Sequence, residues 1–328
     1  MAPVDTAHRR PVVVIAVAVA VVTLAVTLVV VVRGLGSAAS CDAAFVRVHM
    51  TGVERSTNLQ LLDAELALGE TITDDGQSTD PAFSPDGRRL AYVSGAGYEH
   101  TSEHGNLQQS VYVMDLSSRG VRRLTEDHQD AVPTWSPDGT RIAVIRRPPS
   151  AYERQIVVID VATGEERVLG AGPEWREVAW RSDDVVVVTS WRDDGSADLL
   201  AIRLDDGAVS RIGVLPGQAA VWNPDRTAAA VGLSGDVAVG EIAASYVVVF
   251  DVASGQVREV PDSSTRLAVP LIWTADDVLL FTRNVRGEGF DIMASAGGTG
   301  PPTTLSPGWS KPYDAPVTHN PACPTASG

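Results

Sequence analysis

Thirteen residues, Pro133-Thr134-Trp135-Ser136-Pro137-Asp138-Gly139-Thr140-Arg141-Ile142-Ala143-Val144-Ile145, limit what this chain can fold into. They read as a strand, a tight turn and a second strand. Ser-Pro-Asp-Gly suits a β-turn, because proline presets φ at its second position and glycine closes the fourth. The apolar, β-branched run that follows suits a strand. The unit recurs. Pro81-Ala82-Phe83-Ser84-Pro85-Asp86-Gly87 precedes Leu90 to Val93, and Val221-Trp222-Asn223-Pro224-Asp225 precedes Ala228 to Val231. Looser copies are Trp180-Arg181-Ser182-Asp183-Asp184 before Val185 to Val188, and Trp273-Thr274-Ala275-Asp276-Asp277 before Val278 to Phe281.

The aromatic residues Phe83, Trp135, Trp180, Trp222 and Trp273 mark the register at intervals of 52, 45, 42 and 51 residues. A period of this size built from short strands predicts a β-propeller with one four-stranded blade per repeat. Val111-Tyr112-Val113-Met114-Asp115 and Arg122-Arg123-Leu124-Thr125 supply the later strands of one repeat. With them the unit resembles the repeat of the TolB-type propeller family, over nearly all of the chain after residue 40. That resemblance implies a propeller and a protein partner at one ring face or in the central channel. It says little about chemistry, since propellers host scaffolds, receptors and enzymes alike.

The ends of the chain complete the count. Ala315 to Cys323 aligns with Ala131 to Gly139, and His319 stands where a sixth aromatic is due, but no strand follows it. That strand is found near the other end, in Ala44 to Val48, with Leu59 to Asp63 and Glu70 to Thr73 as the outer strands. The fold class expected is therefore all-β: a six-bladed β-propeller with a composite N-/C-terminal closing blade, preceded by one transmembrane helix. The join brings Cys41 to Cys323, so a disulfide between them is expected. Its loop of about 280 residues gives a maximum near 5 kcal/mol in the chain-entropy picture.

Residues Pro11 to Val32 contain no charge and span roughly 33 Å as a helix, enough for a hydrocarbon core of roughly 30 Å. Arg9 and Arg10 flank one end and Arg33 the other, which favours a cytoplasmic N-terminus and an extracytoplasmic propeller. Ala38-Ala39-Ser40-Cys41 is similar to a lipoprotein cleavage box but has alanine where leucine is expected, and the apolar run exceeds a signal-peptide core. An uncleaved anchor is the reading adopted. The domains are then a tail at 1–10, the membrane helix at 11–32, a linker at 33–40, the propeller at 41–323 and a frayed end at 324–328. Three of the 26 basic and one of the 41 acidic residues precede residue 34, so the remainder carries a formal −17. Such a field repels phosphate backbones and excludes nucleic acid as a partner.

No catalytic set is legible. His100-Thr101-Ser102-Glu103-His104 has the H-x-x-E-H spacing of some zinc peptidases, but those residues work from a helix and these fall in a loop beside glycines. The Asp series, Asp86, Asp138, Asp183, Asp225 and Asp276, is read as turn chemistry, and the aromatic series as core between blades. Peptidases with this propeller add a hydrolase domain with a Gly-x-Ser-x-Gly elbow, which Gly232-Leu233-Ser234-Gly235 does not match. No cofactor, metal or catalytic residue is expected. The longer loops, 95–110, 147–154 and 234–245, all join second to third strands and so share one face. They nominate Tyr98, His100, His104, Arg147 and Tyr152 as partner contacts. The function expected is a non-enzymatic, membrane-anchored scaffold binding a protein partner in the bacterial envelope. The alternatives are an envelope hydrolase or lyase, or a small-ligand sensor, with its site in the channel.

Overall fold

Six sheets of four antiparallel strands form a β-propeller in the computed structural model, which describes residues 43–51, 56–95, 109–126, 129–148, 153–217, 220–234, 245–264, 268–285, 289–309 and 316–323. In chain order, β1 (Phe45–Thr51), β2 (Ser56–Leu62) and β3 (Leu68–Thr71) come first. The first full blade is β4 (Ser78–Phe83), β5 (Arg89–Ser94), β6 (Ser110–Asp115) and β7 (Val121–Arg123). The second is β8 (Gln129–Trp135), β9 (Arg141–Arg147), β10 (Arg154–Asp160) and β11 (Glu166–Gly172). The third is β12 (Trp175–Ser182), β13 (Val185–Trp191), β14 (Ala197–Arg203) and β15 (Val209–Leu215). The fourth is β16 (Ala220–Trp222), β17 (Ala228–Ser234), β18 (Ser245–Asp251) and β19 (Val257–Glu259). The fifth is β20 (Pro270–Trp273), β21 (Val278–Val285), β22 (Gly289–Ala296) and β23 (Thr303–Trp309), and the chain ends on β24 (Pro316–His319). The closing blade has the order β24-β1-β2-β3, so each terminus contributes to one sheet, as the repeat predicts.

The turn chemistry explains each inner hairpin. The Gly87 N–H donates to Ser84 O at 2.8 Å and the Arg89 N–H to Ser84 Oγ at 2.9 Å, while Ser84 Oγ donates to Asp86 Oδ1 at 2.5 Å. Ser136, Asp138, Gly139 and Arg141 repeat this pattern. Gly87 and Gly139 both have φ of 68°, a region costly for residues with a Cβ. The Trp222 and Trp273 units place Arg226 (φ 60°) and Asp277 (φ 62°) there instead. The aspartates are thus held in turns, and Asp138 is lowered to about 2: burial opposes ionisation, but hydrogen bonds from Ser136 and Thr140 and the nearby Arg141 outweigh it.

Burial falls from the middle strands outward. The inward run of β9, Ile142 to Ile145, and most of β5, β10 and β13 are buried because blades cover both their faces. Each such Val, Leu or Ile contributes about 1.5–3 kcal/mol. The described residues of β3, β7 and β19 are exposed. Outer strands need no continuous apolar run: β23 continues through Ser306, Pro307 and Gly308 to Trp309, since backbone pairing needs no apolar side chain. No helix among the described residues is long and apolar enough to cross a membrane, and the expected transmembrane helix at 11–32 lies outside the described residues. So do residues 1–10, the linker, Cys41 and residues 324–328.

Candidate functional site at the channel

The first strand of every blade lines the central channel, and the turns that follow these strands gather at one end. There they enclose a cavity of about 760 Å³ whose wall takes residues from all six blades. Phe83, Trp135, Trp180, Trp222, Trp273 and His319, one per blade, line it together with Pro85, Pro137, Pro224 and Pro321. The aromatic series therefore has two roles. Phe83, Trp135, Trp180 and Trp273 are buried as core, as the spacing predicts, yet all reach the cavity wall, and Trp222 is only half-buried.

Polar atoms on the wall are tied into the ring. The Nε1 of Trp135 donates to Ala82 O and that of Trp180 to Thr134 O, both at 3.0 Å and both across a blade boundary. The guanidinium of Arg89 lies 4.6 Å from the Trp135 ring centre and that of Arg141 5.3 Å from the Trp180 ring, so each indole is clamped by the preceding blade. Arg226 is half-buried, and donates to Trp180 O at 3.2 Å and Asn223 O at 2.9 Å. Burial pulls its pKa down, against the Asp225 carboxylate.

His319 differs from the rest of the wall. Its ring packs on Phe45 with centroids 4.9 Å apart, and its Nδ1 accepts the Ala275 N–H at 3.4 Å. Its Nε2 is buried without a hydrogen-bond partner. Burial pushes its pKa down to about 4, although Asp276 and the Cys323 backbone favour the charged form.

Two carboxylates stand on first strands, each three residues before a register aromatic. Asp80, on β4, accepts the Val132 N–H at 3.2 Å, and Glu177, on β12, accepts the Ala220 N–H at 3.2 Å and the Thr189 hydroxyl at 3.4 Å. Burial raises both pKa values, Asp80 against the Val132 hydrogen bond and Glu177 to about 7. Composition does not single these residues out, but aligning position −3 from each aromatic pairs them.

Of the partner-contact candidates, Arg147 is described: it is exposed at the end of β9, on the side opposite the cavity. Tyr98, His100, His104 and Tyr152 lie outside the described residues, and with them the H-x-x-E-H segment. Among the described residues no group of His, Cys, Asp and Glu has a geometry for holding a metal ion. Cys323 is buried, with Sγ 3.7 Å from Ala43 O, two residues from Cys41 in sequence.

Comparison with known proteins supports the fold. The pattern of the TolB beta propeller domain matches residues 20–226. In shape the chain is similar to TolB from Acinetobacter baumannii, with 20% identity and a TM-score of 0.57 over 78% of this chain and 61% of that one. It is also similar to an oligogalacturonate lyase solved with manganese, with 14% identity and a TM-score of 0.53 over 81% of this chain and 78% of that one. Both likenesses concern the fold. In sequence it is similar to a dipeptidyl-peptidase 5 of Porphyromonas gingivalis, 26% identical over 144 residues, and to an uncharacterized peptidase, YuxL, of Bacillus subtilis, 39% identical over 69 residues. These matches cover 40% and 21% of this chain, and the chain spans only 20% and 9% of the length of those relatives.

Proposed function

The chain belongs to the TolB beta propeller family, and from that premise we propose that it is a non-enzymatic, membrane-anchored scaffold that binds a protein partner in the bacterial envelope. The observation carrying this reading is the cavity at the channel mouth, walled by aromatic and proline side chains from six blades. Such a wall offers apolar area with little rotamer entropy to lose, which suits a protruding peptide segment. The anchor is residues 11–32, with the propeller extracytoplasmic. A Cys41–Cys323 disulfide would lock the closing blade in an oxidising compartment. Its support is the placement of buried Cys323 against Ala43, two residues from Cys41 in sequence.

Chemical cross-linking of the full-length protein in native envelopes tests the scaffold. A stoichiometric protein partner is expected with the wild type and is lost in Trp222→Glu. Retention of that partner by the variant would reject the mouth as the docking site. Mass spectrometry without reductant tests the bridge, and two alkylated cysteines would reject it. The second reading, a hydrolase or lyase working in the channel, is favoured by Glu177, whose raised pKa suits a general acid. Turnover of an envelope polymer that disappears in Glu177→Gln would favour it over the scaffold.

A further inference from the structure

On the side opposite the channel mouth, where the second and third blades meet, the chain gathers three arginines against which the described residues set one paired carboxylate, Glu174. β9 and β10 pair with Gln155 opposite Arg146, which sets Arg147 and Arg154 side by side at the ends of their strands. Arg154 reaches into the next blade, donating to Trp175 O at 3.2 Å. Arg176, the residue after Trp175, lies with its guanidinium 4.8 Å from the Trp191 ring centre. Arg154 is desolvated and feels the like charges of Arg176 and then Arg147, with Glu174 as the opposing carboxylate. Glu174 pairs with Arg176 at 2.7 Å. Among the described residues, neither Arg147 nor Arg154 has an ion-pair partner. The Nε of Arg176 is buried and has no hydrogen-bond partner at all.

The adjacent Arg146 shows the alternative. It is buried and held by two carboxylates, Asp130 at 2.7 Å and Glu166 at 2.5 Å. One residue further on, in a domain with a large acidic excess, the described residues supply no carboxylate to Arg147. Like charges set side by side across a strand pair destabilise a sheet, and a buried donor without an acceptor costs more than one left in water. Both costs vanish if an oxyanion bridges the three forks, since guanidinium groups pair with carboxylate and phosphate through parallel hydrogen bonds.

We propose that Arg147, Arg154 and Arg176 form a binding site for an oxyanion-bearing ligand, a phosphate or a carboxylate, flanked by Trp191 as an apolar wall. The site is separate from the channel mouth and stands whether or not the mouth binds a protein.

Calorimetric titration of the full-length protein at physiological ionic strength, with pyrophosphate in one arm and citrate in the other, tests it. Saturable binding of at least one is expected, with pyrophosphate alone marking a phosphate ligand and citrate alone a carboxylate. Arg154→Gln should weaken binding about tenfold or more, Arg154→Lys should weaken it less, and Arg258→Gln on the exposed outer strand should leave it unchanged. The melting temperature of ligand-free Arg154→Gln should equal or exceed that of the wild type, because a repulsion is removed. No saturable binding of either anion, or equal loss in Arg154→Gln and Arg258→Gln, would overturn the site.

Discussion

The second blade and the closing blade solve the same problem with different means. In the second blade, Trp135 leads through Ser136-Pro137-Asp138-Gly139 into β9, and the covalent chain itself closes the hairpin. In the closing blade His319-Asn320-Pro321-Ala322-Cys323 makes the turn, and the next strand comes from the far end of the chain. Asn320 replaces the covalent link. Its N–H donates to Ala44 O at 2.7 Å, its Nδ2 to Ala43 O at 3.1 Å and to Gly87 O at 3.2 Å, and its Oδ1 accepts the Ala322 N–H at 3.0 Å. Serine needs only to bond its own hairpin. The longer asparagine bonds its own turn, the N-terminal segment and the neighbouring blade. The ring is thus continuous through five hairpins and depends on side chains at one seam, where among the described residues β24 pairs with β1 through Phe45, Val46 and Arg47.

Glycine substitutions should separate the two regions most strongly. At Gly139 a Cβ finds nothing nearer than 3.5 Å, so Gly139→Ala should cost only the left-handed backbone, about 1–2 kcal/mol by urea denaturation. At Gly87 the same Cβ would stand 2.0 Å from Asn320 Oδ1 and 2.7 Å from Ala322 Cβ. Gly87→Ala should therefore also displace the seam, for a total of about 3–5 kcal/mol. Equal losses in the two variants would show that the seam is no more sensitive than a covalent hairpin.

Acid should act on the seam through His319. Its pKa in the folded ring is about 4, below the usual 6.5, so the unfolded chain takes up a proton that the folded ring refuses. This contribution is fully present above about pH 6.5, is lost as pH falls towards 4, and is flat below that. It amounts to about 3 kcal/mol at most. Glu177 works in the opposite sense, its raised pKa favouring the fold at low pH and losing that benefit as pH rises through about 7. His319→Phe should flatten the drop between pH 6.5 and 4 in denaturation curves, while Trp135→Phe should leave its slope unchanged. An unaltered slope in His319→Phe would remove the histidine from the account.

The smallest contrast is between Asn320→Ala and Ser136→Ala. The first loses bonds to three segments and should cost about 2 kcal/mol, with faster unfolding. The second loses bonds within one hairpin and should cost about 1 kcal/mol. Stopped-flow unfolding decides, and the reverse order would refute the role given to Asn320.

The inner hairpins were legible because their residues act locally: Ser84, Pro85, Asp86 and Gly87 specify a turn wherever they occur. The composite blade was legible because His319-Asn320-Pro321 repeats the register of Trp135-Ser136-Pro137. Asp80 and Glu177 were missed, since one is Asp, one is Glu, and the equivalent position of the second blade is Val132. The reach of Asn320 to Gly87 joins residues 233 apart in the chain, a separation no local pattern encodes.

By itself, the sequence determined the number of blades, their strand order and the joining of the two ends, because turn geometry and apolar periodicity are properties of neighbouring residues. Tertiary structure alone decided which polar groups meet. Arg147, Arg154 and Arg176 share one corner, and His319 lost its water, because closing the ring sets desolvation and charge proximity between residues far apart in the chain.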